Sequence, residues 1–357
     1  MPNQISEIEI TKFLTNAIQM QAEVLHLQPG NFPYIRRSGV LQAIEQDGVV
    51  SVELLDAIMR SVATASQIEY LERDKSISFS STLTNGQRVR VDIRAEKGRY
   101  DVSLRFLPLR LFTLEELAIP PPVMDVLGRG WGWIILSGPF DSGRSTVWGA
   151  LIEHINQHSA KRIVTLEQPI EYVFTSKKSF IEQREVGRDI GSMRQGLRQL
   201  IDSDVDVVGL SDCADSEVLD QVMALAANKK LVITISTAQS VVDTFQRIDA
   251  LIPSGQKETM RANLAHTLDV VVSQRLLPRL GGGRALIAEV YRQVSLSLGA
   301  IAEGNFTQLT SCMQTSFSQG LCTLERALAD AVKRGEITAE HALAESEQPD
   351  QLKSLLR

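Results

Sequence analysis

One short segment constrains the fold of this chain more than any other part of its sequence. The run GPFDSGRST at positions 138–146 follows an apolar stretch that predicts a buried strand, and a helical pattern begins directly after it. Two glycines and a hydroxyl residue match the spacing G-x-x-x-x-G-x-[ST]. That spacing is typical of a loop whose backbone N–H groups surround a phosphate at the start of a helix. The sequence therefore predicts a nucleotide-phosphate site within an α/β domain.

We predict that this phosphate loop, defined as residues 138–146, holds the phosphates of ATP together with a Mg²⁺ ion. The hydroxyl of Ser145 is the expected magnesium ligand, because the motif uses its Ser or Thr side chain for the metal. The residues predicted to bind the nucleotide are Gly138, Ser142, Gly143, Arg144, Ser145 and Thr146.

Two residues of the phosphate loop depart from the motif. Arg144 stands where the motif has lysine, so a wide planar guanidinium replaces a compact ammonium group. Asp141 adds a carboxylate inside the loop. Two like charges about 4 Å apart repel by about 4 kcal/mol at an effective dielectric constant of about 20, and a triphosphate carries several charges. We therefore expect the binding of ATP and Mg²⁺ to be weak or lost.

The chain around the phosphate loop alternates apolar strands with helical segments. This alternation predicts a parallel sheet with helices on both faces, over residues 124–294. From residue 295 to residue 357 the pattern is helical and has no further strand. The predicted strands are 133–137, 162–166, 205–210, 231–236 and 285–290.

The N-terminal part, residues 1–108, has a different pattern and predicts a small α+β domain with an antiparallel sheet. Helical spacing at 5–20 is followed by a short strand at 24–27 and by one or two helices within 51–72. Asn85-Gly86 separates two alternating runs, which is a strong hairpin signal. Residues 109–123 contain Pro120-Pro121-Pro122, which we expect to bar helix and sheet and to form a linker between domains.

Composition narrows the functional classes. Apolar residues make up 43% of the 357 residues, enough to bury real cores, and the net charge of −6 comes without a basic block. A nucleic-acid partner is therefore not expected. Cys213, Cys312 and Cys322 lie too far apart in sequence to suggest a disulfide framework or a zinc site. No targeting segment or spanning run is visible, so we expect a cytoplasmic protein that meets the membrane only through partners.

Beyond the loop, several segments resemble those of one family. The segment TLEQPIE at 165–171 resembles the aspartate box of the secretion-ATPase superfamily, and KKSFIEQREVG at 177–187 is very similar to the segment that follows it. The chain resembles most the type IV pilus retraction ATPases (PilT-type) of twitching motility. Further similar segments, in order along the chain, are 25–27, 88–91, 114–117, 260–265, 272–277 and 320–343.

The resemblance implies a PAS-like N-terminal domain, a RecA-like P-loop domain and C-terminal helices. It also implies a hexameric ring that closes around ATP and acts on an inner-membrane platform protein, at the periphery of the inner membrane. In this family the glutamate of the aspartate box is understood to orient the attacking water, and here it is Glu167. Arg88 and Arg90 match arginines that reach a neighbouring site, or else they form a charged edge of the sheet.

Other family motifs are altered. Gln168 replaces the aspartate that follows Glu167, and no histidine lies between 159 and 265, where the histidine box belongs. Two alignments of the Walker B acid remain open: one places Leu210 there, and the other, which we prefer, places Asp212. Ala-Ile-Ala-Glu-Gly at 300–304 lacks the arginine of the family element tied to retraction. The predicted catalytic residues are therefore Glu167 and Asp212.

Three hypotheses follow. In the first, the chain is a pseudo-ATPase or weakly active paralogue that assembles with a pilus motor ATPase, as a homo- or hetero-hexamer, or docks to the platform protein. In the second, it is a divergent but active ATPase that powers pilus retraction, with Arg144 in the lysine's role and Asp212 as the Walker B acid. In the third, it is a regulatory scaffold of a secretion system, since a fold alone does not fix function.

Overall fold

A computed structural model of the chain describes residues 7–37, 39–108, 110–213 and 215–357. The chain forms two compact units. The first unit contains residues 1–110 together with the short segment 169–172, and the second contains 111–168 and 173–357. Each unit has its own buried core.

The first unit is an α+β domain with a six-stranded antiparallel sheet in the order β3-β2-β1-β6-β5-β4. Its helices and strands are α1 (Glu7–Gln19), β1 (Val24–Leu27), β2 (Tyr34–Arg37), β3 (Val40–Ala43), α2 (Val52–Val62), α3 (Ala65–Asp74), β4 (Ser76–Thr82), β5 (Arg88–Glu96) and β6 (Arg99–Phe106). The predicted hairpin is confirmed, since β4 pairs with β5 across the Asn85-Gly86 turn, where Gly86 takes a φ of 82°.

Alternation along the strands places the core of this unit on one face of the sheet. Leu25, Leu104 and Val91 are neighbours across β1, β6 and β5, and all three are fully buried. Strands β2 and β3 were not predicted from the sequence. They have four residues each and every residue of β3 is exposed, so no apolar alternation marks them.

The second unit contains a seven-stranded sheet in the order β13-β12-β7-β11-β10-β8-β9. Its strands are β7 (Gly132–Ser137), β8 (Arg162–Glu167), β9 (Phe180–Glu185), β10 (Val207–Leu210), β11 (Leu231–Ile235), β12 (Leu268–Pro278) and β13 (Arg284–Arg292). Its helices up to the last strand are α4 (Pro121–Arg129), α5 (Arg144–His158), α6 (Met193–Ile201), α7 (Ser216–Ala227), α8 (Val241–Leu251) and α9 (Lys257–Thr267). The predicted α/β class is confirmed.

The sheet differs from the predicted one at its edges. Its strands are parallel except β13, which runs antiparallel to β12, so the sheet is mixed. Strand β9 at the other edge has the sequence FIEQRE and no fully buried residue. A charged edge strand of this kind avoids pairing with other chains and carries no apolar signal, which is why the sequence pattern did not reveal it.

The proline run does not act as predicted. Helix α4 begins at Pro121, and Pro122 and Val123 are buried. Proline is accepted in the first turn of a helix, because its missing N–H would have no partner there and its φ is already helical. The expectation that these prolines bar a helix was therefore wrong, and part of the predicted linker 109–123 is helical.

Five helices follow the sheet, and the prediction of a helical C-terminal region is confirmed. They are α10 (Ser295–Glu303), α11 (Gln308–Thr315), α12 (Leu324–Lys333), α13 (Ala339–Glu345) and α14 (Pro349–Leu356). The last three share a buried cluster with the β12–β13 hairpin, which includes Leu277, Ile287, Leu328 and Leu352. Nowhere in the described part of the chain is a helix long and apolar enough to cross a membrane.

A buried carboxylate fixes the entry into β7. Asp269 accepts hydrogen bonds from the backbone N–H of Trp133, at 3.0 Å, and from the guanidinium of Arg129. We predict that Asp269→Ala lowers the free energy of unfolding by about 2–4 kcal/mol, because a buried N–H and a cation lose their acceptor. All three tryptophans lie in this unit, so denaturant unfolding followed by tryptophan fluorescence measures it directly.

The matched control is Asp220→Ala, on the exposed face of α7. We expect a change within about 0.5 kcal/mol for this variant. An equally small effect of Asp269→Ala would show that the carboxylate does not hold β7 in place.

Candidate functional site

The phosphate loop runs from the end of β7 to the start of α5. Gly138 and Gly143 take φ values of 147° and 84°, which side chains rarely adopt. A Cβ on Gly138 would lie 2.4 Å from the carbonyl oxygen of Gln274, and one on Gly143 would lie 3.2 Å from the Leu276 side chain. Gly138 is therefore required by its close approach to the backbone of β12, and Gly143 is favoured by its backbone conformation. The two glycines bring the loop to the N-terminus of a 15-residue helix.

The loop contains a buried hydroxyl with no partner. Ser142 is 2% exposed, and its Oγ has no hydrogen-bond partner. A buried polar atom without a partner costs free energy, and such groups are usually paired. Together with the positive end of the α5 dipole, this hydroxyl fits an anion held against the loop.

The arginine that replaces the motif's lysine is engaged within the protein. The Nη1 of Arg144 donates a 2.7 Å hydrogen bond to the carbonyl oxygen of Ser236, just beyond β11. The backbone N–H of Ser236 in turn donates a hydrogen bond to the carbonyl oxygen of Leu136 of β7. The guanidinium thus ties the start of α5 to the segment after β11.

The acid in the phosphate loop is also paired. An Oδ of Asp141 lies 2.7 Å from Nη1 of Arg284, the first residue of β13. Both side chains are about one-third exposed. The repulsion that the sequence predicts for Asp141 is therefore reduced by a cation that the sequence pattern did not reveal, because Arg284 lies 143 positions away in sequence.

Glu167 lies at the end of β8 and is 3% exposed. Its carboxylate accepts hydrogen bonds from the hydroxyl of Thr165, at 2.7 Å, and from the side-chain amide of Gln183 on β9, at 2.9 Å. A buried carboxylate is held firmly in place by such neighbours. Glu167 is therefore a fixed acceptor at the carboxyl end of the sheet, and its catalytic role stays a prediction.

The two candidates for the Walker B acid lie in different environments. Leu210 ends β10 and is fully buried, while Asp212 lies two residues beyond the strand and is exposed. Partial desolvation raises the pKa of the Asp212 carboxyl, and the Cys213 backbone N–H and the positive charge of Arg144 lower it. Of the two candidates, only Asp212 carries a charge that interacts with Arg144 of the phosphate loop.

The remaining predicted ligands, Ser145 and Thr146, lie in the first turn of α5 and are partly exposed. The described residues contain no group of three or more His, Cys, Asp or Glu side chains placed to hold a metal ion. An ion at this place would therefore depend on the hydroxyl of Ser145 and on the phosphates themselves.

Comparisons with known proteins identify the family of this chain. The sequence profile described as "Type II/IV secretion system protein" matches residues 3–354. The chain belongs to this family. It is 29% identical to the "Type IV pilus retractation ATPase PilT" of Pseudomonas aeruginosa, over 96% of this chain and 99% of the relative. It is 31% identical to a "Twitching motility protein" of Neisseria gonorrhoeae, over 87% of this chain and 83% of the relative.

The similarity also holds for the three-dimensional structure of nearly the whole chain. The crystal structure of the pilus retraction motor PilT with bound ADP matches 96% of this chain and 98% of its own, with a TM-score of 0.82 and 31% identity. The ATPase DotB of Legionella pneumophila shares the fold at a TM-score of 0.79 and 18% identity. The resemblance to the pilus retraction ATPases is thereby confirmed.

Arg88 and Arg90, which the resemblance connects with a neighbouring site, have partners within the first unit. Arg88 donates a 2.7 Å hydrogen bond to the carbonyl oxygen of Ile170, and Arg90 pairs with the carboxylate of Glu171 at 3.1 Å. Both partners belong to the segment 169–172. The two arginines therefore hold the last two residues of the aspartate box.

A partly exposed glutamate that the sequence did not point to holds the residue directly after the segment 236–240. The carboxylate of Glu289 on β13 accepts the backbone N–H of Val241, the first residue of α8, at 2.8 Å. Desolvation raises the pKa of Glu289 to about 7; the Val241 N–H and Arg275 lower it, and the charges of Glu347 and Glu325 raise it. Only the fold brings these groups together, so no local pattern marks Glu289.

This shift predicts a pH dependence. The pKa of Glu289 is about 7 in the folded state and 4.5 in the unfolded state. The folded state therefore holds this proton more tightly than the unfolded state. Stability from Glu289 is then complete below about pH 4.5 and falls by at most about 3 kcal/mol as the pH rises to about 7. We expect Glu289→Gln to remove this part of the pH dependence, measured by denaturant unfolding at pH 5 and pH 8.

Glu340→Gln, on the exposed surface of α13, is the control and should keep the pH dependence of the wild type. If the Glu289→Gln variant loses as much stability between pH 5 and pH 8 as the wild type does, the carboxyl of Glu289 does not titrate in this range.

Proposed function

We propose that this chain is a pilus-retraction subunit of the secretion-ATPase family that acts by assembly and docking, with little or no turnover of ATP. The similarity to retraction motors over nearly the whole length supports the assignment to that machine. One observation carries the low turnover: Arg144, in the place of the lysine, donates its guanidinium to the carbonyl oxygen of Ser236. A phosphate-loop lysine instead reaches the β- and γ-phosphates.

The altered residues around Arg144 support the same conclusion. Leu210 ends β10 as a buried apolar residue and cannot orient a metal-bound water. No histidine stands between 159 and 265 to complete the site. Removing a charge-stabilising cation or a water-orienting group usually lowers a phosphoryl-transfer rate by orders of magnitude, and several such losses in one site leave little catalysis.

We further propose where this chain would bind a nucleotide and which proteins it would bind. A nucleotide, where it binds, would rest on the backbone of 138–145, with Ser145 as the magnesium ligand and Glu167 and Asp212 beside it. The chain would join a homo- or hetero-hexamer with a pilus motor ATPase, or dock to the inner-membrane platform protein, and so reach the membrane through partners. The same proposal divides the chain into an N-terminal domain at 1–108, a linker at 109–123, a P-loop domain at 124–294 and a helical region at 295–357.

The alternative of a divergent but active ATPase is favoured by one observation. Asp212 lies within electrostatic range of Arg144, so an acid does stand near the phosphate loop. In that case Glu167 would serve as the general base, since it is a fixed carboxylate at the end of β8. The two proposals differ in a rate that can be measured directly.

The test is phosphate release from ATP–Mg²⁺ by the purified full chain and by Glu167→Gln. We expect both to release phosphate at the same rate as a protein-free blank, because the low-turnover proposal gives Glu167 no reaction to assist. Glu182→Gln, the same change at a more exposed position of β9, is the control for handling and folding. Mass determination in solution on the same samples tests ring formation.

A wild-type rate above the blank that Glu167→Gln abolishes, while Glu182→Gln keeps it, would establish the active ATPase instead. A monomeric mass with and without nucleotide would contradict assembly of a ring by this chain alone and leave docking to a motor ring as the proposal.

A further inference from the structure

We infer that the ion pair between Asp141 and Arg284 is an electrostatic latch on the phosphate loop. In the latched state the Asp141 carboxylate occupies the guanidinium of Arg284, and when Asp141 moves away, Arg284 becomes a phosphate-binding residue. This inference rests on the proposed nucleotide site and adds its regulation. It predicts that the affinity for polyphosphate is set by competition between Asp141 and phosphate for one guanidinium.

The position of Arg284 makes it a built-in part of the site. Residue 284 pairs with Pro278, next to the turn of the β12–β13 hairpin. The same hairpin contacts the phosphate loop, because Gln274 lies close to Gly138 and Leu276 lies close to Gly143. Arg284 is therefore anchored on the strand that holds the phosphate loop, and its guanidinium points to the loop at 2.7 Å from Asp141.

The backbone conformation of Asp141 indicates which of the two paired residues moves. Asp141 has a φ of 66°, in the left-handed region, which is uncommon for residues other than glycine, although aspartate and asparagine both enter it more readily than most. The loop thus accepts strain at the residue that supplies the carboxylate, whereas Arg284 lies in regular β-structure. We therefore assign the movement to Asp141, with the arginine staying in place to meet a phosphate oxygen.

A second feature of the loop points independently to an anion. The Oγ of Ser142, next to Asp141 in sequence, is buried and has no partner. It lies at the start of α5, where backbone N–H groups and the helix dipole favour negative charge. With Asp141 paired to Arg284, this hydroxyl remains unsatisfied, so the latched loop is incomplete without a further acceptor.

The experiment compares binding without relying on turnover. ADP–Mg²⁺ and inorganic pyrophosphate are titrated calorimetrically into the full chain, Asp141→Asn, Arg284→Gln and the double variant. Asparagine keeps the shape of aspartate and tolerates the left-handed region, so Asp141→Asn removes the charge alone. The control is Asp125→Asn, which breaks an exposed Asp–Arg pair of 2.8 Å, to Arg292, at a different place in the same unit.

We expect Asp141→Asn to bind both ligands at least tenfold more tightly than the wild type. Arg284→Gln should bind more weakly, because it leaves the carboxylate in the loop without its cation. The double variant should lose most of the gain, since the freed guanidinium is absent. Asp125→Asn should bind as the wild type does, and melting temperatures identify any variant that has not folded.

Wild-type affinity in a folded Asp141→Asn variant would overturn the latch, as would an equal gain in the single and double variants, which would exclude Arg284 as a phosphate ligand. These outcomes are separate from the test of turnover. Measurable hydrolysis by the wild type would contradict the low-turnover proposal. The latch would still be tested by the ratio of the Asp141→Asn affinity to the wild-type affinity.

Discussion

The close approach of the phosphate loop to strand β12 is the contact on which the candidate site depends. Gly138 leaves no room for a side chain against the backbone of Gln274, and Gly143 lies over Leu276. This contact fixes where α5 begins, and the direction of α5 fixes the position of Arg144 and of the hydroxyl residues that follow it. Because Gly209 of β10 lets Trp148 of α5 approach closely as well, the helix is held along its length against the sheet.

The two unusual charges of the loop are each satisfied inside the protein, and this changes what they mean. Taken alone, an arginine in place of lysine and an added aspartate suggest a site spoiled for phosphate. In the fold, Arg144 supports the segment after β11 and Asp141 is neutralised by Arg284. The Asp141–Arg284 ion pair is partly exposed and contributes little to stability. In the proposed latch its effect is on the ligand that the loop accepts.

The segment 236–240 connects the loop to the C-terminal helices. Arg144 contacts it at Ser236, and Glu289 holds its other end at Val241. Glu289 is in turn near Glu325 and Glu347, which belong to the C-terminal helical region, and near Arg275, which binds Glu347. A chain of charged and polar groups therefore runs from the phosphate loop to the last helices of the protein, all within the second unit.

The sequence by itself determined the α/β class, the place of the phosphate loop and the hairpin at Asn85-Gly86, because glycine spacing and apolar periodicity are local signals. The family followed from the resemblance of whole segments such as 165–171 and 177–187. It did not determine β2 and β3, which have only four residues each, or β9, which is charged and has no fully buried residue. It also did not determine the helical start at Pro121, where proline is compatible with a first turn. Only the tertiary structure decided the partners of Asp141, Arg144 and Glu289. Those partners come from distant parts of the chain, and the charge of a site is set by which groups the fold brings within a few ångströms of it.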